Sequence, residues 1–548
     1  MMRQRTFPED QVVDFVIVGA GAAGGVLAKE LSTAGFTVVV HEQGPWRQNA
    51  DFRHDEFATW FELELCGSLT DYPQTFRASP SETAQSATFP PLIYARGVGG
   101  SSVHFTANYW RFHEIDFNER SRLGGVPGAN LADWPITYAE LEPYYTKVDW
   151  EIGVSGVPGP FDPPRSRPYP VPPLPVKSSG VLMDRGAAKL GWHSQPAPMA
   201  ILSEPHDGRL ACGHCGYCMG YGCEFGAKSS TLVTMIPKAV ATGNCEVRAD
   251  STVMRVETDA SGRATGVVWL DAQGAEHRQR ANAVILSANG AETARLLLMS
   301  AAGAYPDGLA NASGLVGKHL MFNGQTAVFG TFEHPLNEYK SVQVTRIIHD
   351  FYDSDPRRGF YGGGGFDARM SQSPMLFALG GAPPDVPSWG ADYKKWLHDW
   401  YTHAVEIACH TTSLPVETNS VTLDPSTKDK WGRPALRITY RDHDDDVKMM
   451  QFLQDRGREL LEAAEAVKIW APPVGPQTIG AHLLGTCRMG NDARTSVVNA
   501  DHRAHDVPNL FICDGSSFVT SGRGQPTMTI QALAFRASER IAEAVRNA

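Results

Sequence analysis

The chain has 548 residues, 42% of them hydrophobic and 20% charged, which is a globular composition in a chain too long for one hydrophobic core. Its net charge of −11 argues against a nucleic-acid partner, because phosphates require a basic surface. No run of 18 apolar residues occurs, so the sequence predicts no transmembrane segment of its own. The first residues lack the apolar core of a secretion signal, so we expect a cytoplasmic protein, or a periplasmic or membrane-peripheral one exported with a partner subunit.

The first predicted elements surround a glycine-rich turn near the N-terminus. Residues 14–18 and 36–40 have strand patterns, and the helix pattern between them ends at Gly35. The turn contains G-x-G-x-x-G, formed by Gly19, Gly21 and Gly24. Such glycines allow a tight turn, close approach to a pyrophosphate and close packing of helix on strand. Glu42 follows the second strand, where a carboxylate accepts hydrogen bonds from ribose hydroxyls, so the segment predicts dinucleotide binding.

Three later stretches carry a further pattern. They are RGVGGSSVHFTANYWR at 96–111, GAHLLGTCRMG at 480–490 and NLFICDGSSFVTSGRGQPTMTIQALAFR at 509–536. Together with segments 133–145 and 287–300, these stretches resemble the glucose–methanol–choline (GMC) family of flavoenzymes. The pattern is similar to that of bacterial FAD-dependent sugar and polyol dehydrogenase catalytic subunits. The resemblance favours FAD over NAD, a choice that the N-terminal motif alone leaves open.

The resemblance implies an α/β (α+β) fold in which a Rossmann-like FAD-binding domain is interleaved with a substrate domain built on an antiparallel β-sheet. We expect residues 12–320 to belong mainly to the FAD-binding domain and 321–475 mainly to the substrate domain. Residues 476–548 would form a C-terminal FAD-binding and active-site segment. Strand-like runs at 420–423 and 435–440 are expected to contribute to the antiparallel sheet.

The resemblance also implies which residues bind the cofactor. The 96–111 stretch would pass close to the flavin, where glycines let backbone amides approach the ring. The expected FAD-binding residues beyond the N-terminal motif are Gly99, Gly100, Ser101, Ser102, His104, Asp514, Gly515, Pro526 and Thr527. In some sugar-oxidising relatives the histidine equivalent to His104 is bonded covalently to the flavin. We expect non-covalent FAD.

The same resemblance identifies His482 as the residue that faces the reactive nitrogen of the flavin. The family oxidises a carbon that bears a hydroxyl, and a neutral histidine suits removal of the hydroxyl proton. The second polar partner is usually histidine or asparagine in the family, but here it is Gln525. Its amide can bind a hydroxyl but cannot act as a second base. His410 belongs to no motif and is interpreted as an ordinary core or surface residue.

A cysteine-rich loop lies in the first half of the chain. It reads CGHCGYCMGYGC and contains Cys212, Cys215, Cys218 and Cys223. Closely spaced thiols suggest a metal, and the first three have the spacing of a bacterial ferredoxin. A subgroup of the family, which includes bacterial glucose, fructose and sorbitol dehydrogenases, carries an iron–sulfur cluster in this region. An iron–sulfur cluster, free thiols or a disulfide, and four-thiolate zinc all stay open.

These features favour an FAD-dependent dehydrogenase that oxidises a sugar, polyol or related alcohol. Electrons would then pass to a cytochrome or quinone acceptor, and a small subunit is an expected partner. Two alternatives remain. One is an oxidase that passes electrons to O₂ and acts on a sterol or long-chain alcohol. The other is a non-catalytic flavin or iron–sulfur electron carrier, which the unusual Gln525 keeps open.

Overall fold

A computed structural model describes residues 4–546 of the chain. The strands are β1 (Val13–Val18), β2 (Val38–His41), β3 (Gln74–Arg77), β4 (Gln85–Ser86), β5 (Ser194–Pro196), β6 (Cys245–Arg248), β7 (Thr252–Thr258), β8 (Ala264–Leu270), β9 (Glu276–Leu286), β10 (Gly324–Thr331), β11 (Arg346–Ile348), β12 (Gly364–Arg369), β13 (Ala404–Thr411), β14 (Ser420–Lys428), β15 (Pro434–Thr439), β16 (Lys468–Trp470) and β17 (Leu510–Ile512).

Ten α-helices connect and cover these strands in the described part of the chain. They are α1 (Ala22–Thr33), α2 (Glu114–Leu123), α3 (Tyr138–Val148), α4 (Ser178–Leu190), α5 (Met235–Ala241), α6 (Glu292–Met299), α7 (Pro374–Gly380), α8 (Gly390–Trp400), α9 (Asp444–Ala463) and α10 (Thr527–Arg546). Within residues 4–546, no helix combines the length and apolarity needed to cross a bilayer.

The first sheet has seven strands in the order β6-β2-β1-β9-β8-β7, and β17 also pairs with β9. Strand β1 is apolar except for Asp14 and lies between parallel neighbours, as expected for a strand covered on both faces. Strand β9 has two roles. Its second half pairs in parallel with β1 and β17, while its first half pairs antiparallel with β8. Helices α1, α5 and α10 pack together beside this sheet, and the largest hydrophobic core forms there.

The second sheet has six strands in the order β16-β10-β13-β12-β11-β5, and all its pairs are antiparallel. Helices α4 and α9 pack on it through a second hydrophobic cluster that includes Val328, Ile407 and Leu453. The fold predicted from the family resemblance, a Rossmann-like part combined with an antiparallel sheet, is confirmed. The division of the chain at residues 320 and 475 stays a prediction.

A third sheet corrects the expectation that the runs at 420–423 and 435–440 belong to the antiparallel sheet of the substrate domain. The runs at 420–423 and 435–440 do lie in strands, but β14 and β15 form a separate four-stranded sheet with β3 and β4. Strand β15 pairs in parallel with β3, so its partner comes from residues 74–77. The strand pattern of a segment indicates that it needs a partner but does not specify which distant segment supplies it.

The parallel strands end at one edge of the first sheet. Strands β1, β2, β9 and β17 all pair in parallel in a continuous block, so their carboxyl ends lie side by side. The residues that follow these ends are Gly19, Glu42, Ser287 and Cys513. In open α/β sheets ligands bind in the crevice at this edge.

Candidate active site

A cavity of about 440 Å³ lies at the carboxyl edge of the parallel strands and extends to the antiparallel sheet. It has the size and mixed lining of a small-molecule site. Most of the residues predicted from the sequence line this cavity: Gly19, Gly21, Glu42, Gly100, Ser101, Ser102, His104, His482, Asp514, Gly515, Gln525, Pro526 and Thr527. Gly24, Gly99 and the four loop cysteines do not line it.

Two glycines of the N-terminal motif pack against each other. A Cβ added at Gly24 would lie 1.9 Å from the carbonyl oxygen of Gly19, so only glycine allows α1 to approach β1 this closely. Helix α1 begins at Ala22 with Gly21 as its extended N-cap, and both residues line the cavity. The unpaired amides at this helix N-terminus form a site for an anionic group.

The loop after β3 and β4 meets this turn from the other side. A Cβ at Gly100 would lie 2.7 Å from the Cα of Gly21, so the two backbones are in direct contact. The Ser102 hydroxyl donates to the Gly99 carbonyl at 2.6 Å and accepts from the Thr231 amide at 3.2 Å. Ser101 accepts a hydrogen bond from the Ala95 amide at 3.1 Å. Both serine hydroxyls therefore hold the loop in shape as well as lining the cavity.

Glu42 is buried and receives three backbone hydrogen bonds. The donors are the amides of Ala20, Gly44 and Gly97, at 3.0, 3.1 and 3.0 Å. Burial raises the pKa of the Glu42 carboxyl, and these amides act in the opposite direction. A carboxylate accepts about four hydrogen bonds, so the side chain keeps acceptor capacity for a ligand hydroxyl in the cavity.

Asp514 connects the C-terminal signature to the start of α6. Its carboxylate accepts from the Asn289 amide at 3.1 Å, the Thr293 hydroxyl at 2.6 Å and the Ser516 amide at 2.8 Å. Burial raises its pKa. Helix α10 begins two residues after Gln525, and Pro526 and Thr527 at its start line the cavity. The positive end of this helix dipole therefore lies at the cavity wall.

His104 lines the cavity and has one ring nitrogen without a hydrogen-bond partner in the described part of the chain. Its Nε2 is buried and has no hydrogen-bond partner among residues 4–546. Burial and, to a smaller extent, the nearby Lys228 lower the pKa of His104 to about 4, so the ring is neutral near pH 7. An orphaned buried nitrogen at a cavity wall is suited to contact a bound group.

His482 lies on the cavity wall with its Nδ1 3.1 Å from Oδ1 of Asn323. Burial lowers the pKa of His482, and the neighbouring His410 and Arg369 act in the same direction, so that together they bring it to about 3. The imidazole is therefore neutral at physiological pH, which is the form that can accept a proton. The cavity thus brings a neutral histidine close to the carboxyl edge of the parallel strands.

Gln525 is held at the cavity by its chain neighbours. Arg523 is fully buried, pairs with Asp116 and Glu119, and donates from Nε to the Tyr352 carbonyl at 2.7 Å. These contacts fix the backbone next to Gln525. The Gln525 side chain itself makes no hydrogen bond to residues 4–546, so its amide is free to bind a ligand.

A polar network in the antiparallel sheet was not foreseen from the sequence. Arg369 and His410 line the cavity, and both contact the buried carboxylate of Asp367. Asn108 donates to the same carboxylate at 3.1 Å. His410, interpreted from the sequence as an ordinary residue, is therefore part of the cavity wall. One signal exists: Glu406 and His410 are polar residues on the same face of β13, a strand whose other residues are apolar except for Thr411.

The cysteine-rich loop adjoins the cavity through Met219 and Gly220, which line it. Its four cysteines form no disulfide. Beneath the loop, buried Lys228 donates to the carbonyl oxygens of Phe105 at 3.0 Å, Tyr221 at 2.8 Å and Cys218.

A four-thiolate zinc ion would require sulfurs within about 4.6 Å of one another, because each lies about 2.3 Å from the metal. Within residues 4–546, the only metal-ligand atoms that meet in a group of three or more within 4.8 Å belong to His54, Cys215 and Glu224. The sulfurs of the four cysteines are therefore not grouped as such a zinc site requires, and four-thiolate zinc also stays an untested alternative. The iron–sulfur cluster stays a prediction.

Comparison with known proteins gives the family. GMC oxidoreductase family models match residues 13–323 and 415–534. Among curated proteins, 2-methyl-1,2-propanediol dehydrogenase from Mycolicibacterium austroafricanum is 36% identical, over 96% of this chain and 95% of the relative. The gluconate 2-dehydrogenase flavoprotein of Pantoea cypripedii is 30% identical, over 97% and 94%. The fructose dehydrogenase large subunit of Gluconobacter japonicus is 29% identical, over 96% and 97%.

Solved structures agree in fold. Pyridoxine 4-oxidase from Mesorbium loti superposes with a TM-score of 0.66 at 19% identity, covering 97% of this chain and 99% of that chain. A formate oxidase gives a TM-score of 0.64 at 15% identity, covering 99% and 100%. These identities are too low to carry more than the fold. The two family models and the 36% identical relative establish that the chain belongs to the GMC oxidoreductase family, whose members are FAD-dependent enzymes that act on CH–OH groups.

Proposed function

We propose that the protein is a dehydrogenase that oxidises the CH–OH group of a small polar alcohol, such as a diol, polyol or sugar, with His482 as the general base. The observation that carries the proposal is the neutral, half-buried His482 on the wall of a cavity whose other end is the carboxyl edge of the parallel strands. Neutral imidazole is suited to take a hydroxyl proton.

The residues present fit FAD. The Gly19–Gly21 turn and the N-terminus of α1 suit a pyrophosphate, and Glu42 keeps acceptor capacity for ribose hydroxyls. The orphaned Nε2 of His104 and the contact of Gly100 with Gly21 suit a ring system that passes close to backbone. FAD, when bound, supplies the acceptor for the hydride that leaves the carbinol carbon.

The protein's own groups bind the alcohol and manage its proton. His482 accepts the hydroxyl proton, and the unpaired amide of Gln525 binds the hydroxyl and orients it. Arg369, His410 and Asn108 offer further polar contacts on the antiparallel sheet. The charges of Arg369 and Asp367 cancel, so the wall favours neutral hydroxyl groups over an anionic substrate.

Three relatives, two of them at least 30% identical to this chain, support a dehydrogenase, whereas two relatives at 29% identity are named as oxidases. The names of three of them describe dehydrogenases of a diol, of gluconate and of fructose, and two of these names denote a flavoprotein or a large subunit. We therefore propose a non-oxygen acceptor, a cytochrome or quinone, and a small partner subunit. The cellular location, cytoplasmic or on the periplasmic side with an exporting partner, stays a prediction.

The cysteine-rich loop is the proposed exit for electrons. It adjoins the cavity at Met219 and Gly220, and its cysteines are free. The buried ammonium of Lys228 beneath the loop would offset the negative charge of thiolates that hold an iron–sulfur cluster. Iron and acid-labile sulfide assays on anaerobically purified protein test this part. Absence of both removes the cluster and leaves the flavin to reduce its acceptor directly.

The experiment for the function mixes the flavin-loaded protein anaerobically with 2-methyl-1,2-propanediol, fructose and gluconate. Bleaching of the flavin by one of them, with slow reoxidation in air, is the expected result. Rapid reoxidation by O₂ would support an oxidase. If no alcohol of any class bleaches the flavin, the proposed function is wrong and the electron-carrier alternative is supported.

A further inference from the structure

We infer that Asn323 is a positioning residue, which holds His482 in the tautomer that carries its proton on Nδ1 and leaves Nε2 as the proton acceptor. The inference rests on the proposed function, since it concerns the histidine proposed as base. Asn323 is buried, lines the cavity and stands immediately before β10. No sequence motif pointed to it.

The orientation of the Asn323 amide is fixed by three backbone carbonyls. Its Nδ2 lies 3.3 Å from the oxygen of Thr411, 3.1 Å from that of Ser521 and 3.0 Å from that of Gly522. A flipped amide would place an oxygen against these three acceptors, with no hydrogen between them. The nitrogen must therefore face the carbonyls, and Oδ1 must face His482.

The tautomer of His482 follows from this orientation. An amide oxygen only accepts, so the Nδ1 of His482, 3.1 Å away, must carry a hydrogen. A neutral imidazole has one N–H, so Nε2 keeps its lone pair. The charged form, which would carry hydrogens on both nitrogens, is disfavoured because burial lowers the pKa of His482 to about 3. The ring is thus set to accept a proton at Nε2.

Asn323 also joins the segments that carry the other cavity groups. Thr411 follows His410 in β13, and Ser521 and Gly522 precede Gln525. The backbone of Asn323 has a φ of +60°, a left-handed conformation that asparagine tolerates better than most residues. A single side chain therefore orients the base and connects the backbone beside His410 and Gln525.

The charged groups around His482 influence its pKa and therefore the pH dependence of any activity that relies on it. Arg369 on β12 and His410 on β13 act to lower its pKa, and Asp367 pairs with both of them. Asn323 contributes a neutral acceptor. A carboxylate at position 323 would instead stabilise the imidazolium and raise the pKa of His482.

A matched pair of substitutions separates the acceptor from the structural role. Neither Asn323→Leu nor an ionised Asn323→Asp can donate to the three carbonyls, but only the aspartate keeps an acceptor for Nδ1. We expect N323L to lower kcat roughly 100-fold, and N323D to keep activity within roughly tenfold of wild type, with the acid limb of its kcat profile moved to higher pH.

Asn509→Ala, which removes a buried amide bonded to the backbone of Ala264 and Asn282, is the control and keeps wild-type kcat. Equal losses in N323L and N323D would overturn the inference.

A direct measurement of the tautomer does not depend on activity or on the folding of the Asn323 variants. Long-range ¹H–¹⁵N NMR of ¹⁵N-histidine-labelled protein, with His482 assigned by the signal that disappears in His482→Gln, reports which nitrogen carries the proton. Protonated Nδ1 with unprotonated Nε2 is the expected result. Protonated Nε2 overturns the inference even if the enzyme is active. Flavin bleaching that is unaffected by H482Q would instead reject the proposed base, whatever the tautomer is.

Discussion

Nε2 of His410 lies 2.8 Å from a carboxylate oxygen of Asp367, on the strand that pairs with its own. Burial alone would raise the pKa of Asp367, but its contacts with Arg369 and His410 outweigh burial and hold the pKa at about 2. The carboxylate is therefore ionised and keeps two cavity-lining groups in place.

Asp367→Asn tests this network. The uncharged amide introduced by D367N no longer balances Arg369, which remains a buried charge next to His482. Such a charge disfavours the imidazolium that forms when His482 takes a proton. We expect a lower Tm and a lower kcat, with flavin content unchanged. Wild-type kcat in D367N would show that the network does not act on the reaction. Glu465→Gln, which breaks an exposed pair with Lys189, is the control and leaves both quantities unchanged.

Gln525→Ala is expected to reduce kcat/KM roughly tenfold, the effect of losing one substrate hydrogen bond. Because the Gln525 side chain makes no bond to residues 4–546, Tm should not fall. Steady-state kinetics and thermal unfolding measure the two effects separately. A large drop in Tm would mean that the side chain has a structural partner in the folded protein.

Arg523→Met is expected to destabilise the protein by roughly 3–5 kcal/mol, because Asp116 and Glu119 would remain buried without a counter-charge. It should also raise KM, since Arg523 fixes the backbone next to Gln525. Denaturant unfolding measures the first effect. The exposed pair of Arg357 with Asp355 supplies the control, and Arg357→Met should leave the unfolding curve unchanged.

Because histidines are buried in neutral form, we predict that acid lowers the stability of the folded protein. Burial lowers the pKa of His502 to about 4, whereas an unfolded histidine has a pKa of about 6.5. The unfolded chain therefore binds more protons between these values, and the stability that neutral His502 provides is lost as the pH falls through this window. His502→Gln should remove this part of the pH dependence. Urea unfolding at several pH values checks it, and a stability difference that does not change with pH would contradict it.

The carboxyl edge of the parallel strands, where the cofactor is proposed to bind, could be predicted from the sequence. The residues that form its first part lie close together in the chain. Gly19 and Gly24 act on each other across five residues, and the strand that ends at His41 places Glu42 beside them. The pattern therefore carries nearly the whole geometry. The C-terminal residues Asp514 and Gln525 needed the family resemblance, because their closeness to this edge depends on β17 pairing with β9.

The polar wall of the cavity could not be predicted in the same way. Arg369 and His410 meet because β12 pairs with β13 in one register, and Asn323 meets His482 across 159 residues of sequence. The polar positions of β13 single out His410, but no periodic pattern specifies either contact. The strands β14 and β15 show the same limit, since their pattern gave the strands but not their pairing with β3.

The most direct test of the proposed mechanism is anaerobic stopped-flow reduction of bound flavin by the best alcohol substrate, in wild type and in His482→Gln. Glutamine keeps polarity and approximate size but cannot take a proton. We predict that the flavin remains bound and that its reduction slows roughly 10²–10⁴-fold, the contribution of a general base. Reduction at the wild-type rate in H482Q would contradict the assignment of His482 and, with it, the mechanism proposed for this cavity.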